Sequence, residues 1–185
     1  YFRPENLSGV YLPAFTFDAD TQSVYQGRLG EHYYVTAREN GKEVRKQRTR
    51  YFSVNGTYQQ FFDDIAVNAT DAVPQSVMNT LMRYDYHNSV AYDDDFLYGF
   101  SALLYSKSGE ACWQDARAEA ENALRGQILS QYRYDVVQYL NVSTSYSRVT
   151  YKYMLLPMYT GNYTHESKTY SFYINGRSGK VKGKA

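Results

Sequence analysis

Three histidines, one cysteine and a few paired acids are the residues from which this chain would build any chemistry. His32, His87 and His165 fall in separate segments, with no i, i+4 repeat and no H-E-x-x-H string. A hydrolytic zinc centre needs three protein ligands and an open position. Histidines spaced this way predict surface or turn positions instead. Asp63 and Asp64 are adjacent on an expected strand. Successive strand side chains point to opposite faces, so the two carboxylates are not expected to act as an acid–base pair. Asp93-Asp94-Asp95 has the charge to gather a hard cation, but acids ahead of an apolar helical pattern are what a helix start requires, and capping is the preferred reading. Cys112 precedes Trp113 near an expected helix start, a place where thiols become more acidic. No histidine is near it in sequence, and a buried structural thiol is the expectation. No G-x-S-x-G elbow occurs. Gly176-Arg177-Ser178-Gly179-Lys180-Val181 lacks the spacing and the Ser or Thr of a phosphate-cradling loop, and reads as a turn. No catalytic residue, cofactor-binding residue or metal ligand is therefore assigned, and the chain is expected to be no enzyme and to hold no metal of its own.

One run carries a binding signal. Lys42-Glu43-Val44-Arg45-Lys46-Gln47-Arg48-Thr49-Arg50 follows Asn40-Gly41, the strongest hairpin signal in the chain. On a strand, Lys46, Arg48 and Arg50 share one face, next to tyrosines of the preceding strand. Basic side chains interleaved with aromatics are what single-stranded nucleic acid binding uses, and these three are the candidate nucleic-acid-binding residues. The competing reading is a solvated hairpin whose charges keep an edge strand from pairing with other chains. Net charge is +1, so the whole-molecule field adds no pull on phosphate, and edge protection is preferred.

The elements that would position these residues are written in hydrophobic periodicity. The 185 residues suit a single domain, and 22 tyrosines favour half-buried pleated surfaces. Alternation predicts strands over Gly9–Phe17, Ser23–Arg38, Val44–Val54 and Tyr58–Val67, with turns at Asp18-Ala19-Asp20, Asn40-Gly41 and Asn55-Gly56. The period then changes. Pro74 with Val77, Met78, Leu81 and Met82 predicts one helix. Asp93–Asp95 before Phe96, Leu97, Phe100, Leu103 and Leu104 predicts a second. A third is expected from Glu110 to Tyr132, with Trp113, Ala116, Ala120, Leu124 and Ile128 as its apolar stripe. Strands return at Val136 and run through Tyr151–Lys182, pausing at Gly161-Asn162 and turning at Asn175–Gly179. The expected class is α+β: antiparallel sheet in strands–helices–strands order, with about three helices packed against it. Tyr11–Thr16 echoes Leu155–Thr160, which allows two related β units, about 8–67 and 134–183, flanking a helical middle at about 74–132. No apolar run approaches the roughly 20 residues needed to span a bilayer.

The GVYLPAFTFDAD start, the helical middle and the LLPMY…KTYSFYINGRSGKVKG ending resemble the C-terminal region of uncharacterised bacterial proteins with a transcription-factor-IIB-type zinc ribbon, sometimes labelled primosomal-protein-N′-like or replication-restart-helicase-like. The closing hairpin is also similar to that of PepSY-type domains. The resemblance implies a zinc ribbon before Tyr1, with any zinc bound there, and in some relatives membrane-spanning segments beyond this stretch. A chain opening at Tyr1-Phe2-Arg3-Pro4 without an initiator Met is accordingly expected to be a fragment, acting in the cytoplasm. The leading expectation is a non-catalytic structural or interaction domain whose partner is another part of its own chain or another protein. A nucleic-acid-associated accessory domain comes second and an uncharacterised enzyme third.

Overall fold

The computed structural model describes residues 7–39, 42–81 and 83–183. Its strands are far longer than the runs predicted from sequence. They are β1 (Leu7–Glu39), β2 (Lys42–Asn68), β3 (Phe100–Ala102), β4 (Val136–His165), β5 (Lys168–Asn175) and β6 (Val181–Gly183). The six form one sheet in the order β2-β1-β4-β5-β6, with the short β3 parallel to the start of β1. Two α-helices accompany it among the described residues, α1 (Gln75–Leu81) and α2 (Gly109–Leu129).

This overturns the expectation of three helices packed between two groups of strands: the protein is mainly antiparallel sheet with two α-helices. The second expected helix is a 3-10 turn, Asp94–Leu97, followed by β3. Asp93 does cap, since its carboxylate accepts the Asp95 N–H at 2.9 Å, but only one short turn follows. Gly99 then adopts φ +79°, which ends any helix, and the Phe100 ring packs against Tyr11 and Tyr159. Backbone pairing with β1 outweighs a local helical pattern of five apolar residues.

The expected turns at Asp18–Asp20 and Asn55-Gly56 lie inside β1 and β2. Asn40-Gly41 and Met82 lie outside the described residues. At Gly56 a Cβ would sit 2.7 Å from the Tyr25 hydroxyl, so the glycine makes room for a cross-strand tyrosine. Gly161 and Asn162 are paired within the β4–β5 hairpin, opposite Phe172 and Ser171. The real turn is Glu166-Ser167, both at positive φ, the conformation of a two-residue hairpin loop. Glu-Ser seldom adopts it without tertiary support, which is why the sequence pointed elsewhere.

Two compact units divide the described chain, one of residues 7–18, 63–117 and 150–183, the other of 19–62 and 118–149. The first has a core of Leu12, Ala14, Val77, Met78, Leu81 and Met158, all nearly inaccessible. The second gathers Tyr25, Leu29, Val54, Ile128 and Leu140. Along α2 the buried stripe is Cys112, Ala116, Ala120, Leu124 and Ile128 at strict i, i+4 spacing. Trp113 lies beside that stripe, half-buried against Phe17.

Candidate functional site

In the first unit the last residues of β2 leave regular strand geometry. From Val54 to Asp64 the even-numbered residues are the more buried ones; beyond it Ile65 and Val67 are buried, with Ala66 between them only partly so. The switch falls at Asp64, whose φ of 54° lies in the left-handed region. Aspartate enters that region more readily than most residues, at a cost on the order of 1–2 kcal/mol. The backbone is held there by Asp18, whose carboxylate accepts the Asp64 N–H at 2.9 Å and the Thr150 hydroxyl at 3.2 Å.

Because the alternation fails at this point, the two neighbouring carboxylates do not diverge. His87, on the 3-10 turn Tyr86–Asn88, places Nε2 3.1 Å from Asp63 Oδ2 and 3.8 Å from Asp64 Oδ2. Asp64 is the buried member, its side chain only 8% exposed. Its Oδ1 accepts from Lys152 Nζ at 2.9 Å, and that hydrogen bond, with Asp64, Asp18 and Asp63 charge nearby, holds the ammonium above its ordinary range. Asp64 Oδ2 has no hydrogen-bond partner among the described residues. Sequence reasoning missed this grouping because strand periodicity was assumed to continue through Asp64. A signal was present, since the apolar parity of Ile65 and Val67 is out of step with that of Val54.

Beside the cluster lies a groove of about 980 Å³, which shares Tyr84, Asp85 and Tyr86 with the smaller depression that Asp63, Asp64 and His87 line. A third of its lining residues are aromatic, Tyr11, Tyr84, Tyr86, Tyr92, Phe96 and Tyr153. Tyr84 donates from its hydroxyl to Pro157 O at 2.7 Å, and burial pushes its phenol well up. At the rim Arg177 pairs with Asp85 at 3.2 Å. A hydrogen bond from Asn88, with Arg177 charge beside it, holds the Asp85 carboxyl below its usual range. Val90, Tyr92 and Phe96 are exposed.

The other sequence-selected residues are not assembled. His32 meets Thr49, and His165 lies near Glu166, so neither joins His87. Cys112 is buried, and burial pushes its thiol up. The Gly176–Val181 string is the β5–β6 turn, in which Asn175 Oδ1 accepts the N–H groups of Arg177 and Ser178. Those amides are committed to the turn.

Lys46, Arg48 and Arg50 lie exposed on β2, the end strand of the sheet order. Arg50 pairs with Glu31 at 3.2 Å. Arg45 lies 4.1 Å from the Tyr34 ring centre and Arg28 5.5 Å from that of Tyr51, so an arginine covers one face of each tyrosine.

A curated relative, the uncharacterized protein YdjG of Bacillus subtilis (strain 168), is 24% identical over 184 residues, covering 98% of this chain and 52% of that protein. The chain thus spans about half the length of the curated relative it matches. No family model matches the chain, and no solved structure does. Among the described residues no helix is long and apolar enough to cross a membrane.

Proposed function

We propose that this chain is a non-catalytic interaction domain that holds an apolar polypeptide segment in the aromatic groove of its first unit. The observation that carries the reading is the groove itself. At about 980 Å³ it is at the upper end of ligand sites, and exposed Val90, Tyr92 and Phe96 stand in its wall. Exposed aromatics around an apolar floor are the composition of interface centres. The rim charges Asp85 and Arg177 satisfy one another, and Lys152, which also lines the groove, is paired with Asp64; this leaves little attraction for a charged small molecule and favours a neutral, apolar occupant. Other parts of a longer chain are one source of such a segment. A cytoplasmic setting and a zinc ribbon elsewhere in that chain belong to the same proposal.

Selection of displayed random peptides on the wild-type chain, followed by counter-screening on Tyr92→Ser/Phe96→Ser, tests it. Peptides rich in apolar residues that bind at least tenfold more weakly to the variant are expected, an effect of about 1.4 kcal/mol or more. Selections that yield no sequence distinguishing the two proteins would sink the reading.

The second reading, contact with single-stranded nucleic acid through Lys46, Arg48 and Arg50, has the exposed tyrosines Tyr33, Tyr34 and Tyr51 in its favour. Against it, an arginine already covers one face of Tyr34 and one of Tyr51, where a base would otherwise stack.

A further inference from the structure

We propose that Asp63, Asp64 and His87 form a binding site for a divalent transition cation, zinc foremost, with His87 Nε2, Asp63 Oδ2 and Asp64 Oδ2 as its ligands. One ligand atom from each of the three residues lies within 4.8 Å of the other two. A cation about 2.0–2.2 Å from each ligand needs them roughly 3–4 Å apart, and the two histidine–carboxylate separations, 3.1 and 3.8 Å, already meet this.

A cluster of exposed acids would prove nothing, but Asp64 is not exposed. Its side chain is 92% buried by the complement of its 8% exposure, and its Oδ2 has no hydrogen-bond partner among the described residues. A buried carboxylate oxygen without a donor is costly, and Oδ2 lies 3.8 Å from the histidine Nε2. Its other oxygen is bound to Lys152 and its own N–H to Asp18. Such outer contacts orient a ligating carboxylate and keep it from turning away.

Charge points the same way. Asp63 and Asp64, with Asp18 behind them, face one ammonium, that of Lys152, while Arg83 lines the depression. With His87 neutral, as a metal ligand must be, these three carboxylates outnumber the two cations beside them. One imidazole nitrogen with two carboxylate oxygens suits zinc or manganese better than calcium, which takes six to eight oxygens. Three protein ligands and an exposed His87 leave at least one coordination position for water. The site ties the end of β2 to the Tyr86–Asn88 turn, and it stands whether or not the groove binds a peptide.

Equilibrium dialysis against Zn²⁺, with elemental analysis, tests the proposal on the wild-type chain and on His87→Ala, Asp63→Asn, Asp64→Asn and His165→Ala. Wild type and His165→Ala should each take up one zinc per chain. His87→Ala and Asp63→Asn remove exposed side chains, so their folds should survive, as circular dichroism will check; each should weaken binding on the order of 100-fold. Asp64→Asn should do the same if it folds, and the other two variants decide the matter if it does not. Absence of saturable uptake by the wild type, or uptake equal in wild type, His87→Ala and Asp63→Asn, would overturn the site and leave an exposed ion pair.

Discussion

The strand β2 carries two charged regions, and they are satisfied in opposite ways. Near its start, Arg45 to Arg50 are exposed, and the charges there have local partners: Glu31 for Arg50, the Tyr34 ring for Arg45. Near its end, Asp63 and Asp64 converge on one imidazole, and a buried oxygen is left without a donor. Density of charge does not separate the two. What separates them is whether the backbone keeps its alternation. A regular strand spreads like charges over solvent and finds each a neighbour. A strand turned by one left-handed residue forces them together, and proteins hold such an arrangement only where the surroundings over-determine it.

The comparison can be strained from its strongest point downward. The bent end rests on the core of the first unit, where Met78 is 1% exposed and clusters with Tyr86, next to His87. Met78→Ala should cost about 2–5 kcal/mol in chemical denaturation. An unchanged midpoint would mean that the turn bearing His87 is not seated on this core.

Between the two regions, Gly56→Ala tests whether β2 is one continuous strand. The added methyl group meets the Tyr25 hydroxyl at 2.7 Å, and Tyr25 is buried and hydrogen-bonded to Tyr132 at 2.7 Å. A loss of about 1–3 kcal/mol is expected from overpacking. Were Asn55-Gly56 an exposed hairpin turn, no tyrosine would stand in the way, and stability would change little.

At the open end the effects should be small. Arg45→Ala removes one cation–π contact at an exposed site, and a loss of about 0.5–1 kcal/mol is expected. Arg50→Ala removes an exposed ion pair, for which about 0.2–1 kcal/mol is expected. Losses of several kcal/mol at either position would show that this stretch is as constrained as the bent end, and the contrast would fail.

The smallest expected effect is none. With Arg50 paired to Glu31 and Arg45 seated on Tyr34, the stretch should bind single-stranded DNA no tighter than about 10⁻⁴ M at about 150 mM salt. Fluorescence anisotropy across a salt series measures this. Micromolar binding with a log–log slope of about −2, flattened in Lys46→Ala/Arg48→Ala/Arg50→Ala, would reverse the ranking of the two readings, since about −0.7 per neutralised phosphate is the single-strand value.

Sequence alone determined what depends on neighbours along the chain. The i, i+4 repeat from Ala116 to Ile128 is a helix with one apolar face in any fold, and α2 buries that face. Alternation through Tyr170, Phe172 and Ile174, and an Asn175 whose side chain accepts from the amides of Arg177 and Ser178, specify a strand and the turn that ends it. Tertiary structure decided what depends on a partner far away. Whether Gly56 is a turn or a gap is settled by a tyrosine 31 positions earlier, and Gly161-Asn162 stays extended because Phe172 and Ser171 pair with it. The expected second helix gave way to a 3-10 turn and a strand because Phe100 found Tyr11 and Tyr159. The approach of Asp63, Asp64 and His87 required one residue to leave the strand conformation, held there by Asp18, 46 residues away. A period of two describes a strand's average geometry, and the candidate metal site lies at the one residue of β2 whose backbone is left-handed.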